Sequence, residues 1–135
     1  MSNVVSVQKI YEAFGRGDVP SILGRLAEDV NWEQWPSGLS AAEAGVAYLQ
    51  PLQGRSEVPK FFQALQGLDF HNFQPYAFLE GDGRVAACVR LEVTVKATGQ
   101  RFKDDEIHLW TFDNAGLVAG FRHYVDTAKH IAANR

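Results

Sequence analysis

The chain predicts an α+β domain in which helices come first and a long antiparallel sheet follows. Apolar residues recur at helical spacing near the start, as in Val4, Val7, Ile10, Tyr11 and Phe14. From about Phe70 onward they alternate with polar ones. The clearest case is Arg84 to Ala97, where Val85, Ala87, Val89, Leu91, Val93 and Val95 share one face. Helices in one block and strands in another indicate α+β, and a long curved sheet can wrap helices and enclose a cavity.

The elements follow in order. Residues 3 to 14 form an amphipathic helix ended by Gly15 and Gly17. Asp18 caps a second helix with Pro20 in its first turn, and Ile22, Leu23 and Leu26 form its buried face. Val30 to Trp35 is a first strand, broken at Pro36-Ser37-Gly38. Residues 37 to 54 read as a flap with a helical turn or two, because Gly45 weakens a helix there and Pro51 stops it. Ser56 caps a third helix over 57 to 67, with Val58, Phe61, Phe62 and Leu65 apolar. Phe70 to Leu79 is a strand in which Pro75 demands a bend or an edge. Turns at Gly81-Asp82-Gly83 and Thr98-Gly99-Gln100 lead into a last hairpin, and Thr127 to Ala133 is a short terminal helix.

Length and composition fit one domain over residues 1–135, able to bury roughly two thirds of its unfolded surface. A net charge of -3, with no dense Lys/Arg stripe, argues against nucleic acid as partner. No apolar run approaches a membrane span, and the N-terminus has no signal-peptide pattern. A single cysteine, Cys88, fits a reducing compartment, so the expected location is cytoplasmic. His71, His108, His123 and His130 show no metal-ligand spacing and no phosphate-binding glycine loop occurs, so neither metal nor cofactor is expected.

The last hairpin concentrates the chemistry. It runs from Asp104 to Phe112, turns at Asp113-Asn114-Ala115-Gly116, and returns from Leu117 to Asp126. A type I turn with Gly116 left-handed sets Phe112 beside Val118, His108 near Arg122, Glu106 near Tyr124 and Asp104 near Asp126. A one-residue bulge near Gly120 would shift this register and bring His123 round instead.

Three strings resemble the nuclear transport factor 2-like superfamily, specifically its SnoaL-like polyketide-cyclase branch. They are Tyr11-x-Ala13-Phe14-Gly15-Arg16-Gly17-Asp18-Val19 with its continuation to Trp32-Glu33, Gly54-Arg55-x-x-Val58-x-x-Phe61-Phe62, and His108-x-Trp110-Thr111-Phe112 followed by Phe121-Arg122-x-Tyr124-Val125-Asp126-Thr127. The resemblance implies a cone-shaped, curved antiparallel sheet packed on three N-terminal helices, with an internal pocket. It also implies a homodimer through the outer sheet face and a small apolar, carbonyl-bearing ligand. The activity implied is cofactor-free acid/base chemistry of the isomerase, cyclase or dehydratase type. A non-catalytic ligand-binding or dimerisation module is the alternative.

On this resemblance His108 and Asp126 are the candidate catalytic pair. An imidazole titrates near neutrality, and a carboxylate in an apolar pocket gains basicity. Each has a structural alternative: His108 as a buried sheet residue, Asp126 as the cap of the terminal helix. Trp32, Trp110, Tyr11 and Phe62 are candidate pocket walls, and Glu106, His123 and Tyr124 candidate substrate contacts. The acids 104 to 106 are equally readable as a solvated strand start. Epoxide hydrolases of this fold bridge two aspartates with an arginine. Here Arg122 with Asp104 and Asp126 would have to assemble that constellation across strands.

Overall fold

The computed structural model describes residues 2–135. Helix α1 spans Asn3–Gly15, its first turn capped by the Ser2 hydroxyl, which accepts from the Val5 N–H at 3.2 Å. Helix α2 is Val19–Leu23, capped by Asp18. It is shorter than expected. Leu26 belongs instead to strand β1, Leu26–Trp32, where it pairs with Val118. The strand ends at Trp32 rather than Trp35 because Glu33 adopts a left-handed backbone, φ 55°.

The expected flap is a packed wall. It contains α3 (Ser40–Glu43), a 3-10 turn at Ala47–Leu49 and β2 (Leu52–Gln53), and it buries Ala41, Val46, Tyr48 and Leu49. Helix α4, Pro59–Leu65, starts later than expected: Val58 occupies the cap position, not Ser56, and Pro59 stands at the first helical residue. Then come β3 (Leu68–Gly81), β4 (Arg84–Val95), β5 (Gln100–Phe112), β6 (Val118–Tyr124) and α5 (Thr127–Ala133).

Among the described residues the strands form one six-stranded curved sheet in the order β2-β1-β6-β5-β4-β3. The sheet is mixed rather than wholly antiparallel, because β1 runs parallel to β6. Strand β3 is an edge, and its register slips between Pro75 and Ala77, as the proline requires. The face of β4 carrying Val85, Ala87, Val89, Leu91, Val93 and Val95 is buried, in one core with α1, α2 and α4.

The last hairpin contains the bulge. Gly116 is left-handed, φ +81°, and Phe112 pairs with Val118, both as the turn chemistry predicts. Ala119 is then extra, and the register resumes with Thr111 opposite Gly120 and His108 opposite His123. The straight pairing of His108 with Arg122 and of Glu106 with Tyr124 is therefore corrected by one residue.

Candidate functional site

The inner sheet face, α1, α2, α4, α5 and the Ala47–Leu49 turn line a partly open cavity of about 70 Å³. The wall is apolar and rich in aromatic rings, among them Phe14, Phe61, Phe62, Phe73, Trp110 and Phe121. Glu106, His108, His123 and His130 interrupt it. Strand alternation explains why. Asp104, Glu106, His108 and Trp110 are successive inward positions of β5, and Phe121 and His123 are inward positions of β6.

Two hydrogen-bond systems organise these groups. In the first, the Trp110 indole N–H donates to the Tyr11 oxygen at 3.1 Å, and the Tyr11 hydroxyl meets His108 Nδ1 at 2.7 Å. His108 Nε2 lies 3.0 Å from Glu106 Oε1, and Glu106 Oε2 lies 3.0 Å from His130 Nε2. That nitrogen also faces Asp104 Oδ2 at 2.8 Å, and His130 Nδ1 faces the Tyr48 hydroxyl at 2.8 Å. The partners fix the tautomer: a carboxylate only accepts, so His108 Nε2 carries the proton and Nδ1 accepts from Tyr11.

Electrostatics agree with that assignment. Burial lowers the His108 pKa below its ordinary value, so the ring is neutral. For His130, burial acts in the same direction, but the hydrogen bonds to Asp104 and Glu106 outweigh it and raise the pKa to about 9. Burial alone would raise Glu106, yet the bonds from His108 and His130 hold it well below the usual carboxylate range. The wall is thus a neutral imidazole, a carboxylate and an imidazolium in series.

The second system is Glu33 with His123. Glu33 is 2% exposed and its left-handed backbone turns the carboxylate under β6. One oxygen accepts the His123 backbone N–H at 2.9 Å and the Trp35 indole N–H at 3.1 Å; the other meets His123 Nδ1. A carboxylate only accepts, so in the neutral ring the proton is on Nδ1 and Nε2 presents its lone pair. No hydrogen bond among the described residues engages that nitrogen, and the ring lies on the cavity wall, edge-on to His108 with centroids 4.7 Å apart.

Of the residues singled out in the sequence, Tyr11, Trp32, Phe62, Glu106, His108, Trp110 and His123 line the cavity. Two do not. Tyr124 is turned outward by the bulge, 42% exposed and packed edge-on against Trp35. Asp126 is exposed and caps α5, accepting from the Lys129 N–H at 3.3 Å, so it cannot act as a base in the cavity. Arg122 lies over the Trp35 ring and donates to the Gln34 carbonyl, so no Asp-Arg-Asp constellation forms. Glu33, Tyr48 and His130 were not singled out. Only the helical spacing that puts His130 on one face with Ala133 pointed to an inward position.

Two groups have the donors for a metal. Glu106, His108 and His123 bring ligand atoms within 4.8 Å of one another, as do Asp104, Glu106 and His130. Sequence spacing concealed both, because the residues come from different elements. Asp104 and Glu106 both hydrogen-bond His130, and Glu106 hydrogen-bonds His108, so an ion in either group would have to displace a proton held between carboxylate and imidazole; His123 is bonded instead to Glu33.

A family model, the SnoaL-like domain, matches residues 7–121. The chain belongs to the SnoaL-like family. No sequence match to a functionally curated protein reaches significance. Among solved structures, an NTF2-like protein of unknown function from Burkholderia pseudomallei shares 29% identity, with 98% of each chain covered and a TM-score of 0.80. A protein provisionally described as a polyketide cyclase, from Pseudomonas putida, shares 17% identity over 98% of each chain, with a TM-score of 0.76. TerC, co-crystallised with polyporic acid, shares 20% identity over 97% of this chain and 96% of its own, with a TM-score of 0.77. The last two similarities concern the fold alone. Among the described residues of this SnoaL-like domain, no helix is long and apolar enough to cross a membrane.

Proposed function

We propose that this SnoaL-like domain binds a small, flat, largely apolar carbonyl compound and moves a proton at the carbon beside the carbonyl, without a cofactor. The observation that carries this is His123. Its Nδ1 is held by a buried carboxylate, its ring lies on the wall of a largely apolar cavity, and no hydrogen bond among the described residues engages its Nε2. Nε2 takes the C–H proton, the electron pair moves onto the carbonyl oxygen as an enolate, and Glu33 stabilises the imidazolium that forms. Return of the proton to another atom gives isomerisation, and loss of a β-hydroxyl with that proton gives dehydration. Co-crystallisation of TerC with polyporic acid supports a small-ligand role for the same fold. Four ionisable groups on the wall favour chemistry over binding alone.

The test is exchange of the methylene protons of 2-indanone in D2O, followed by proton NMR. The protein is expected to accelerate exchange over buffer. Glu33→Gln is expected to lower that acceleration by roughly 10²-fold, because an amide neither fixes the ring tautomer nor stabilises the imidazolium. Binding of the ketone without accelerated exchange would leave the domain a ligand-binding module.

We further infer a homodimer through the outer sheet face. The register aligns Ala77, Cys88, Ile107 and Tyr124 in one row across four strands, and Leu79, Ala86 and Leu109 in the next. Ile107, Tyr124 and Leu79 are 42%, 42% and 60% exposed, a contiguous apolar surface of the kind that interfaces bury. Ile107→Asp is expected to convert the dimer to a monomer in light scattering after gel filtration, with unchanged circular dichroism.

A further inference from the structure

Among the described residues, the indole N–H of Trp32 is a buried donor that finds no hydrogen-bond partner. The contrast with the other two tryptophans is informative. Trp35 donates to Glu33 and Trp110 to Tyr11, each at 3.1 Å. Trp32 is 1% exposed and lies on the cavity wall. Its ring is fixed by its neighbours: stacked on Phe121 with centroids 4.2 Å apart, and edge-on to Trp110 at 6.1 Å. It therefore cannot rotate to find a protein acceptor. Folded proteins rarely leave such a group unsatisfied, and beside a cavity an acceptor arriving with a ligand would satisfy it.

The position fits the chemistry assigned to His123. Trp32 pairs with Phe121 across the β1–β6 ladder, and the Phe121 and His123 rings are 4.6 Å apart on the same wall. Donor and base thus flank one aromatic ring. A cyclic ketone lying against Phe121 can point its oxygen at one and an adjacent C–H at the other.

We propose that the Trp32 N–H is the oxygen-recognition group of this cavity. It receives the carbonyl of a small cyclic ketone and retains it as the enolate oxygen after proton transfer. The site therefore selects enolisable ketones over hydrocarbons of the same shape. The enolate half of this statement rests on the proton-transfer function above; recognition of the carbonyl stands without it. Stabilising charge as it develops on oxygen requires a donor already in place, which a locked indole supplies.

The experiment compares 2-indanone with indane, which has the same rings and no oxygen. In a nitrogen-15 correlation spectrum the chain gives three indole N–H signals, one for each tryptophan. The signal missing from the Trp32→Phe variant identifies Trp32. It is expected to move downfield with 2-indanone and to stay in place with indane, the signal of Trp35, which does not line the cavity, serving as reference. Trp32→Phe is expected to lose about tenfold in affinity for the ketone and nothing for indane. Where that variant folds poorly, Trp35→Phe and Trp110→Phe assign the other two signals, the third is Trp32, and the wild-type spectrum still decides the matter. Equal displacement by both compounds, a motionless Trp32 signal with the ketone bound, or no binding of the ketone overturns the proposal. A shifted Trp32 signal without proton exchange overturns the catalytic function and leaves the recognition role standing. Full exchange and affinity in Trp32→Phe do the reverse.

Discussion

His123→Gln is expected to reduce exchange of the 2-indanone methylene protons by roughly 10²- to 10⁴-fold, the usual contribution of a positioned general base. Glutamine is near in size and its amide can still donate to Glu33, so the buried carboxylate keeps a partner and the fold is retained. What the variant lacks is a nitrogen that can take a proton into the cavity. The neighbouring His108→Gln provides the contrast. His108 has Nδ1 occupied by Tyr11 and Nε2 by Glu106, and burial keeps it neutral. Its removal disturbs the wall on which the ligand lies, and is expected to weaken binding more than turnover. Exchange rates of the two variants at saturating ketone decide between them. An inactive His108→Gln beside an active His123→Gln would move the base to His108 and require the Tyr11 or Glu106 contact to open during the reaction.

The assignment turns on a single residue of register. Alternation along Arg84 to Val95 exposed the core face of β4 in the sequence, and the same period placed Glu106, His108 and Trp110 together. Glycine and proline placed most of the turns. The bulge was legible only as an alternative: Gly120 allows one nearby, but Ala119, the extra residue, suits a bulge no better than a regular strand position. Its effect is large, because a shift of one exchanges the faces of the rest of β6, taking Tyr124 out and His123 in. Glu33 was concealed differently. A carboxylate at the end of a strand reads as solvated, and only the left-handed backbone turns it inward beneath His123. Asp126 was legible both as cap and as base; the length of β6 decided for the cap by ending the strand at Tyr124.

His130→Gln is expected to destabilise the protein by about 3 kcal/mol near neutral pH, and by progressively less as pH rises toward about 10. The size follows from the pKa of about 9 against an ordinary 6.5, at about 1.4 kcal/mol for each tenfold change. A histidine whose pKa is raised by folding contributes its full stability below the unfolded value and loses it as pH rises through the folded one. The window is therefore 6.5 to about 9. On the acid side the neighbours act instead. His108 has a lowered pKa, so protonation of the unfolded chain draws stability down as pH falls below 6.5. Glu106, held low, loses its own contribution as pH falls below its ordinary 4.5. Glutamine can still donate to Asp104 and Glu106 but brings no charge, and two buried carboxylates without a cation are costly. Urea denaturation of both proteins across this range measures the difference directly. Equal destabilisation at both ends of the window would mean that His130 supplies shape rather than charge, and that the Glu106 carboxylate holding His108 is stabilised from elsewhere.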